Sequence, residues 1–125
     1  MVELARVVQT GGLLSIVVGN RHHLPLRAAL VRRDFRQARL GLDGEIPAVD
    51  LFGLPRRTFY PEDVRQMIQA AGMRLLGEHG VRIFADLLSD APQLTDDLLA
   101  LELAASSRLP YRHLARFIQF VARKE

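Results

Sequence analysis

Apolar positions along the chain alternate between helical and strand-like spacing. Val2, Leu4, Ala5, Val7 and Val8 predict the end of a helix from Val2 to Val8, broken by Gly11-Gly12. Leu13-Leu14-Ser15-Ile16-Val17-Val18 is apolar on both faces, which predicts a strand covered by helices on both sides, as in a parallel or mixed α/β sheet. Gly19-Asn20 ends it. Leu24 to Ala38 predicts an arginine-studded helix with Pro25 in its first turn. Gly41, Gly44, Pro47, Gly53 and Pro55 then predict a long loop from Gly41 to Arg57.

The second half is more regular. Pro61-Glu62-Asp63 opens a helix, with proline at the first position and two carboxylates at the positive end of the dipole. Val64, Met67, Ile68 and Ala71 share one face, and Gly72 closes it. Met73 to Phe84 predicts a strand interrupted around Gly77 and Gly80. Thr95 with Asp96 and Asp97 predicts a capped start to a leucine-rich helix that ends near Ser107. Pro110 is a breaker, and Arg116 to Arg123 predicts a last strand. The order is helix, strand, helix, loop, helix, strand, helix, strand: an α/β fold in a single domain over residues 1–125.

Composition narrows the chemistry. None of the 125 residues is cysteine, which excludes disulfides, zinc-thiolate sites, iron–sulfur clusters and a catalytic thiol. Apolar residues make up 49%, enough for a core without staples. No apolar run approaches the ~20 residues of a membrane span, and the first residues lack signal-peptide character. The expected location is the cytoplasm, with no membrane partner. The net charge of +3 is uneven: residues 1–60 carry +4 and residues 61–125 carry −1. Lys124 is the only lysine, so the basic character is almost entirely arginine.

Few motifs carry chemistry. No GxGxxG or GxxxxGK[ST] occurs, and Gly11-Gly12 precedes its strand, so a tight turn is expected there. Asn20-Arg21-His22-His23 lies just beyond a strand's carboxyl end, where α/β sheets bind ligands. Asn20 and His22 can orient a substrate and Arg21 can hold a carboxylate or phosphate; a polar strand-to-helix loop is the competing reading. Adjacent histidines do not share one face, and His79 and His113 show no ligand spacing with them, so no metal site is expected. Arg32, Arg36 and Arg39 fall at i, i+4 and i+7, either a face for a nucleic-acid backbone or a solvated helix. If the last strand lies antiparallel beside the first, Tyr111, Arg112 and His113 converge with Asn20, Arg21 and His22. The competing reading is a turn with an anchoring tyrosine. No nucleophile–base pair is legible, and no catalytic residue is assigned.

Gly11-Gly12-Leu13-Leu14-Ser15-Ile16 followed by Gly19-Asn20-Arg21-His22 resembles the fifth strand, and its exit, of class I S-adenosylmethionine-dependent methyltransferases. Arg33-Asp34-Phe35, Tyr60-Pro61-Glu62-Asp63-Val64 through Ala71-Gly72-Met73, and Gly80-Val81-Arg82-Ile83-Phe84-Ala85-Asp86 resemble successive segments of its SmtA-like branch. Leu101-Glu102-Leu103, Pro110-Tyr111-Arg112, Arg116-Phe117-Ile118 and Ala122-Arg123-Lys124 continue in the same order.

The resemblance covers only the family's C-terminal half. It implies the C-terminal half of a Rossmann-like methyltransferase sheet: strands five, six and seven with flanking helices, the seventh antiparallel between the others. The glycine-rich cofactor loop and the acidic residue that grips the ribose have no counterpart, so S-adenosyl-L-methionine is expected in the complete enzyme and not on this chain alone. The substrate side would comprise Asn20, Arg21, His22, Arg82, Tyr111, Arg112 and His113, with Arg32, Arg36 and Arg39 meeting tRNA and a modified wobble-uridine carboxylate as acceptor. Leu13 to Val18 would present an unpaired apolar edge, so a partner is expected: an N-terminal methyltransferase half or a second copy. The alternatives are a non-catalytic binding or interaction module derived from a methyltransferase, or a truncated gene product.

Overall fold

A computed structural model describes residues 1–45, 48–49, 55–88 and 95–125, with backbone alone at 48–49 and 55–56. The helices are α1 (Val2–Val7), α2 (His23–Leu30), α3 (Phe35–Leu42), α4 (Pro61–Ala70) and α5 (Asp96–Ala105). The strands are β1 (Leu13–Asn20), β2 (Ala48–Val49), β3 (Pro55–Arg56), β4 (Thr58–Phe59), β5 (Met73–Val81) and β6 (Phe117–Lys124). Short 3₁₀ turns cover Ala85–Leu87 and Tyr111–His113.

The main sheet is mixed, in the order β4-β1-β6-β5. The last strand, β6, is antiparallel to both neighbours, pairing Gly19 with Phe117 on one side and Val81 with Phe117 on the other. The carboxyl ends of β1 and β5 therefore lie beside the start of β6, and the segments that follow or precede them meet at one edge. The expected α/β class and the adjacency of the first and last strands are both found.

One sheet face carries the core. Ala5 of α1 and Val64 and Ile68 of α4 pack on Met73, Ile118, Phe120 and Ala122. Ile68, Ile118 and Phe120 are fully buried, each contributing about 1.5–3 kcal/mol over an exposed position. The sequence signals of α4 hold: Pro61 opens it and Gly72, at φ +77°, follows it. Thr95 caps α5 by accepting from the Leu98 N–H. A second cluster joins Ile83, Ala105 and Ala115.

Four expectations change. The strand Leu13 to Val18 is not covered on both faces: Leu14, Ile16 and Val18 pack on the core, whereas Leu13 and Val17 are 58% and 57% exposed. Strand alternation sends them to the face that bears neither α1 nor α4. The expected open edge over Leu13 to Val18 is found among the described residues, because β4 pairs in parallel only with Gly19 and Asn20. The helix from Leu24 to Ala38 is two helices. Arg33 turns the chain at φ +53°, and the Asp34 side chain caps α3 by accepting from the Gln37 N–H. Arg32 thus lies before the break while Arg36 and Arg39 lie after it, and the three do not form one helical face. The loop from Gly41 to Arg57 holds the end of α3 and the β2–β3 pair; residues 46–47 and 50–54 lie outside the described residues. Finally, β5 ends at Val81, before the expected Phe84. Arg82 takes φ +61°, which ends the extended run, and an irregularity between Leu75 and Gly77 marks the expected interruption.

Candidate substrate-binding site at the strand exits

Asn20 organises the sheet edge. It is 1% exposed, and its Nδ2 donates to the carbonyls of His113 and Ala115 at 2.8 and 2.7 Å. Its Oδ1 accepts from the His22 N–H at 3.1 Å, a local turn that any apolar residue would forfeit. One side chain thereby fixes the exit of β1 to the turn that precedes β6. Gly80 fixes β5 to the same turn: a Cβ there would lie 2.8 Å from Arg112 Cα and 3.0 Å from Ala115 Cβ. Only glycine permits that approach.

Between these exits and the pair α2–α3 lies a cavity of about 690 Å³. Leu26, Ala29, Phe35, Ala38 and Leu42 make it largely apolar, while His22, Tyr60, His113 and Arg39 supply polar groups. The wall on α2 follows helical spacing, since His22, Leu26 and Ala29 stand four and three residues apart. The His22 and Tyr60 rings are 4.8 Å apart and tilted.

Behind His113 sits a buried charge. The Glu78 side chain is 5% exposed and faces Arg65 Nε and His113 Nε2, each at 2.9 Å. Arg65 Nη2 also stands 3.3 Å from His113 Nε2. Two donors cannot bond each other, so the shorter contact sets the tautomer: His113 carries a proton on Nε2 and donates to Glu78. At the cavity rim His22 Nε2 lies 3.7 Å from Glu62. Burial alone would raise the Glu62 carboxyl, but its own backbone N–H and the neighbouring His22, His113 and Arg65 outweigh this and hold it below the usual range.

His23, adjacent to the cavity wall, points the other way. Its Nδ1 lies 2.8 Å from the Leu114 carbonyl and can only donate there, while Nε2 is buried without a partner. Burial lowers its pKa, and the Leu114 carbonyl and Asp86 oppose that only partly.

Of the residues singled out from sequence, His22, His113 and Arg39 line the cavity. Asn20 builds its edge from inside. Arg21 donates to the Thr58 carbonyl at 2.6 Å and lies over the Tyr60 ring at 5.0 Å, which ties β4 to β1. Arg82 pairs with Asp86 at 2.6 Å, and Arg112 donates to the Ser107 carbonyl at 3.1 Å. Tyr111 is 44% exposed, its ring 6.4 Å from that of Phe84. Arg32 and Arg36 are exposed on either side of the α2–α3 break. Sequence reasoning missed Tyr60 and Glu78. A charged residue at an inward strand position, flanked by Gly77 and Gly80, was the available signal for Glu78.

No family model matches the chain. The tRNA 5-carboxymethoxyuridine methyltransferase of Escherichia coli K12 is 32% identical to it over 127 residues, which is 94% of this chain and 45% of that protein. The chain is similar to a methyltransferase. The corresponding protein of Escherichia coli O157:H7 gives the same figures. The chain spans less than half the length of these curated relatives, and nearly all of it takes part in the match. Among the described residues no helix is long and apolar enough to cross a membrane, and no group of three His, Asp or Glu could hold a metal ion.

Proposed function

We propose that this chain is the C-terminal, substrate-side portion of an S-adenosyl-L-methionine-dependent methyltransferase whose acceptor is a carboxylate on a modified wobble uridine of tRNA. The observation that carries this reading is the match over 94% of the chain to 45% of a tRNA-modifying methyltransferase. In that frame β1, β5 and β6 stand as strands five, six and seven.

The cavity suits the acceptor. A carboxylate is already ionised at neutral pH, so it needs no base, only orientation away from bulk water. His22, Tyr60 and His113 present polar groups to an otherwise apolar wall. Glu78 holds the His113 ring in place, and Asn20 holds the turn that bears it. Arg21 acts through Tyr60, and Tyr111 and Arg112 lie beside His113 on the same turn. Arg36 and Arg39, with Arg32 before the break, face the approach of tRNA phosphates.

The Gly11-Gly12 pair does not suit a phosphate cradle. Gly11 bonds the Lys124 carbonyl at 2.7 Å and has nothing within 4 Å of its missing Cβ, so it serves a turn. At Gly12 a Cβ would meet the Gln9 carbonyl at 2.8 Å, again a turn contact. In this reading S-adenosyl-L-methionine is held outside this chain, by an N-terminal methyltransferase half. Leu13, Val17 and Leu76 on the sheet and Leu99 and Leu103 on α5 are exposed apolar surface for such a half, or for a second copy.

Thermal unfolding with and without S-adenosylhomocysteine tests the division of labour. A bound ligand at 100 times its dissociation constant adds about 2.7 kcal/mol of stability. No shift is expected for this chain. A clear shift would place a cofactor site within it and overturn the reading.

A further inference from the structure

On the flank of α2 opposite the cavity, two guanidinium groups pair with the Asp86 carboxylate and a third reaches its backbone carbonyl. Asp86, with a side chain 7% exposed, receives Arg82 Nη2 at 2.6 Å and faces Arg116 Nη1 at 3.3 Å. Arg27 Nη1 reaches the Asp86 backbone carbonyl at 3.4 Å. With the Glu102 carboxylate on the intervening backbone, three positive charges meet two negative ones and leave a local excess of one.

Arg27 registers that excess. Burial lowers its pKa first, the Arg116 charge lowers it further, and Arg32 and Arg82 add to this against the attraction of Asp86. Guanidiniums do not gather without cause, since mutual repulsion and desolvation both oppose it. Here the backbone that carries Arg82 is held in place. Arg82 is a non-glycine residue at φ +61°, a conformation that persists only where the surroundings impose it. The surroundings are explicit. The Arg82 carbonyl accepts from the Arg116 N–H at 3.2 Å. The Glu102 carboxylate accepts from the backbone N–H groups of Ile83, Phe84 and Ala85 at 2.7, 2.6 and 3.0 Å. Arg82 remains 55% exposed and Arg116 28% exposed, so both can still donate outward. A guanidinium carries five N–H donors in a fixed fork, and Asp86 uses few of them.

We infer that Arg27, Arg82 and Arg116, oriented by Asp86, form a phosphate-binding site that takes the RNA backbone next to the nucleoside held in the cavity. The site lies across one helix from His22 and Leu26, about 10 Å with side chains. The sequence-level basic stretch at Arg32, Arg36 and Arg39 is split by the helix break, whereas this cluster is assembled from three distant segments. The inference rests on the tRNA reading, deepening it by naming the backbone contact.

The test is tRNA affinity measured against potassium chloride concentration for the chain, for Arg82→Gln, for Arg27→Gln and for Arg74→Gln. Arg74 lies at the far end of β5. Each lost phosphate contact should flatten the slope of log affinity against log salt by about 0.7–0.9 and weaken binding about three- to tenfold. Arg82→Gln and Arg27→Gln should both do so, equally for unrelated RNA, while Arg74→Gln should not. Arg82 is largely exposed, so its variant keeps the fold even if Arg27→Gln does not. Binding of tRNA with an unchanged slope in Arg82→Gln would overturn the cluster and leave the tRNA reading standing. Absence of any tRNA binding would overturn both. In that event, inorganic phosphate shifting the guanidinium resonances of Arg82 and Arg116 would identify a free phosphate as the ligand.

Discussion

His113 Nε2 lies 2.9 Å from a carboxylate oxygen of Glu78, a side chain only 5% exposed. Glu78 stands on β5 and His113 on the turn before β6, so one buried charge locks the cavity wall to the sheet. Arg65 of α4 completes the pair from below. Glu78→Gln would leave Arg65 facing His113 without a counter-charge. The expected loss is about 2–3 kcal/mol in urea unfolding, close to that of a charged hydrogen bond. A loss below about 0.5 kcal/mol, within the range of ordinary surface changes, would show that Glu78 does not lock the wall.

Gly80→Ala tests the close approach of β5 to the turn at Arg112. The new methyl would have to displace backbone, which costs about 1–3 kcal/mol. The displacement should also move His113. Chemical shifts of the His113 ring should change in this variant and stay unchanged in Gly72→Ala, which strains a φ of +77° at the opposite end of β5 but whose Cβ meets nothing within 4 Å.

Stability should fall with acid through His23. Its folded pKa lies below the unfolded value of about 6.5. Between those two values the unfolded chain binds a proton that the folded chain does not, so stability is complete above about pH 6.5 and declines below it until the folded pKa is reached. The slope cannot exceed about 1.4 kcal/mol per pH unit for one proton. Asp86, Arg27 and Arg116 are the charged groups that act on His23. Melting temperatures from pH 7.5 to 5.5 should drop more for the chain than for His23→Asn, and equal drops would contradict the assignment.

The uncovered sheet face predicts association. Leu13, Val17 and Leu76 project from the side that neither α1 nor α4 covers. Sedimentation of the isolated chain should show self-association that Val17→Lys reduces, since a charged strand residue discourages pairing. A stable monodisperse monomer at high concentration would contradict the need for a partner.

Periodicity revealed the elements wherever one face alone meets the core. In α4, Pro61, Val64, Ile68 and Gly72 mark start, face and stop, and all four hold in the structure. The strand Leu13 to Val18 misled for a physical reason: apolar residues on both faces announce that both will be covered, and the cover for one face is not among the described residues. Arg33-Asp34 hid a helix break because arginine is a good helix former and gave no warning of φ +53°. Asn20, His22 and His113 were legible through topology, since an antiparallel last strand had to bring them together. Glu78 with Arg65, and Asp86 with Arg27 and Arg116, were not. Their partners are distant in sequence, and only the sheet order places them side by side.

Under the proposed function the strand-exit cavity receives the acceptor carboxylate of a tRNA nucleoside. The most direct measurement is the affinity of the chain for tRNA bearing 5-carboxymethoxyuridine against the same tRNA with an unmodified wobble uridine. The carboxylate-bearing tRNA should bind more tightly, and that preference should be lost in a His22→Ala, His113→Ala double variant that retains its fold. Equal affinity for the two tRNAs would contradict it.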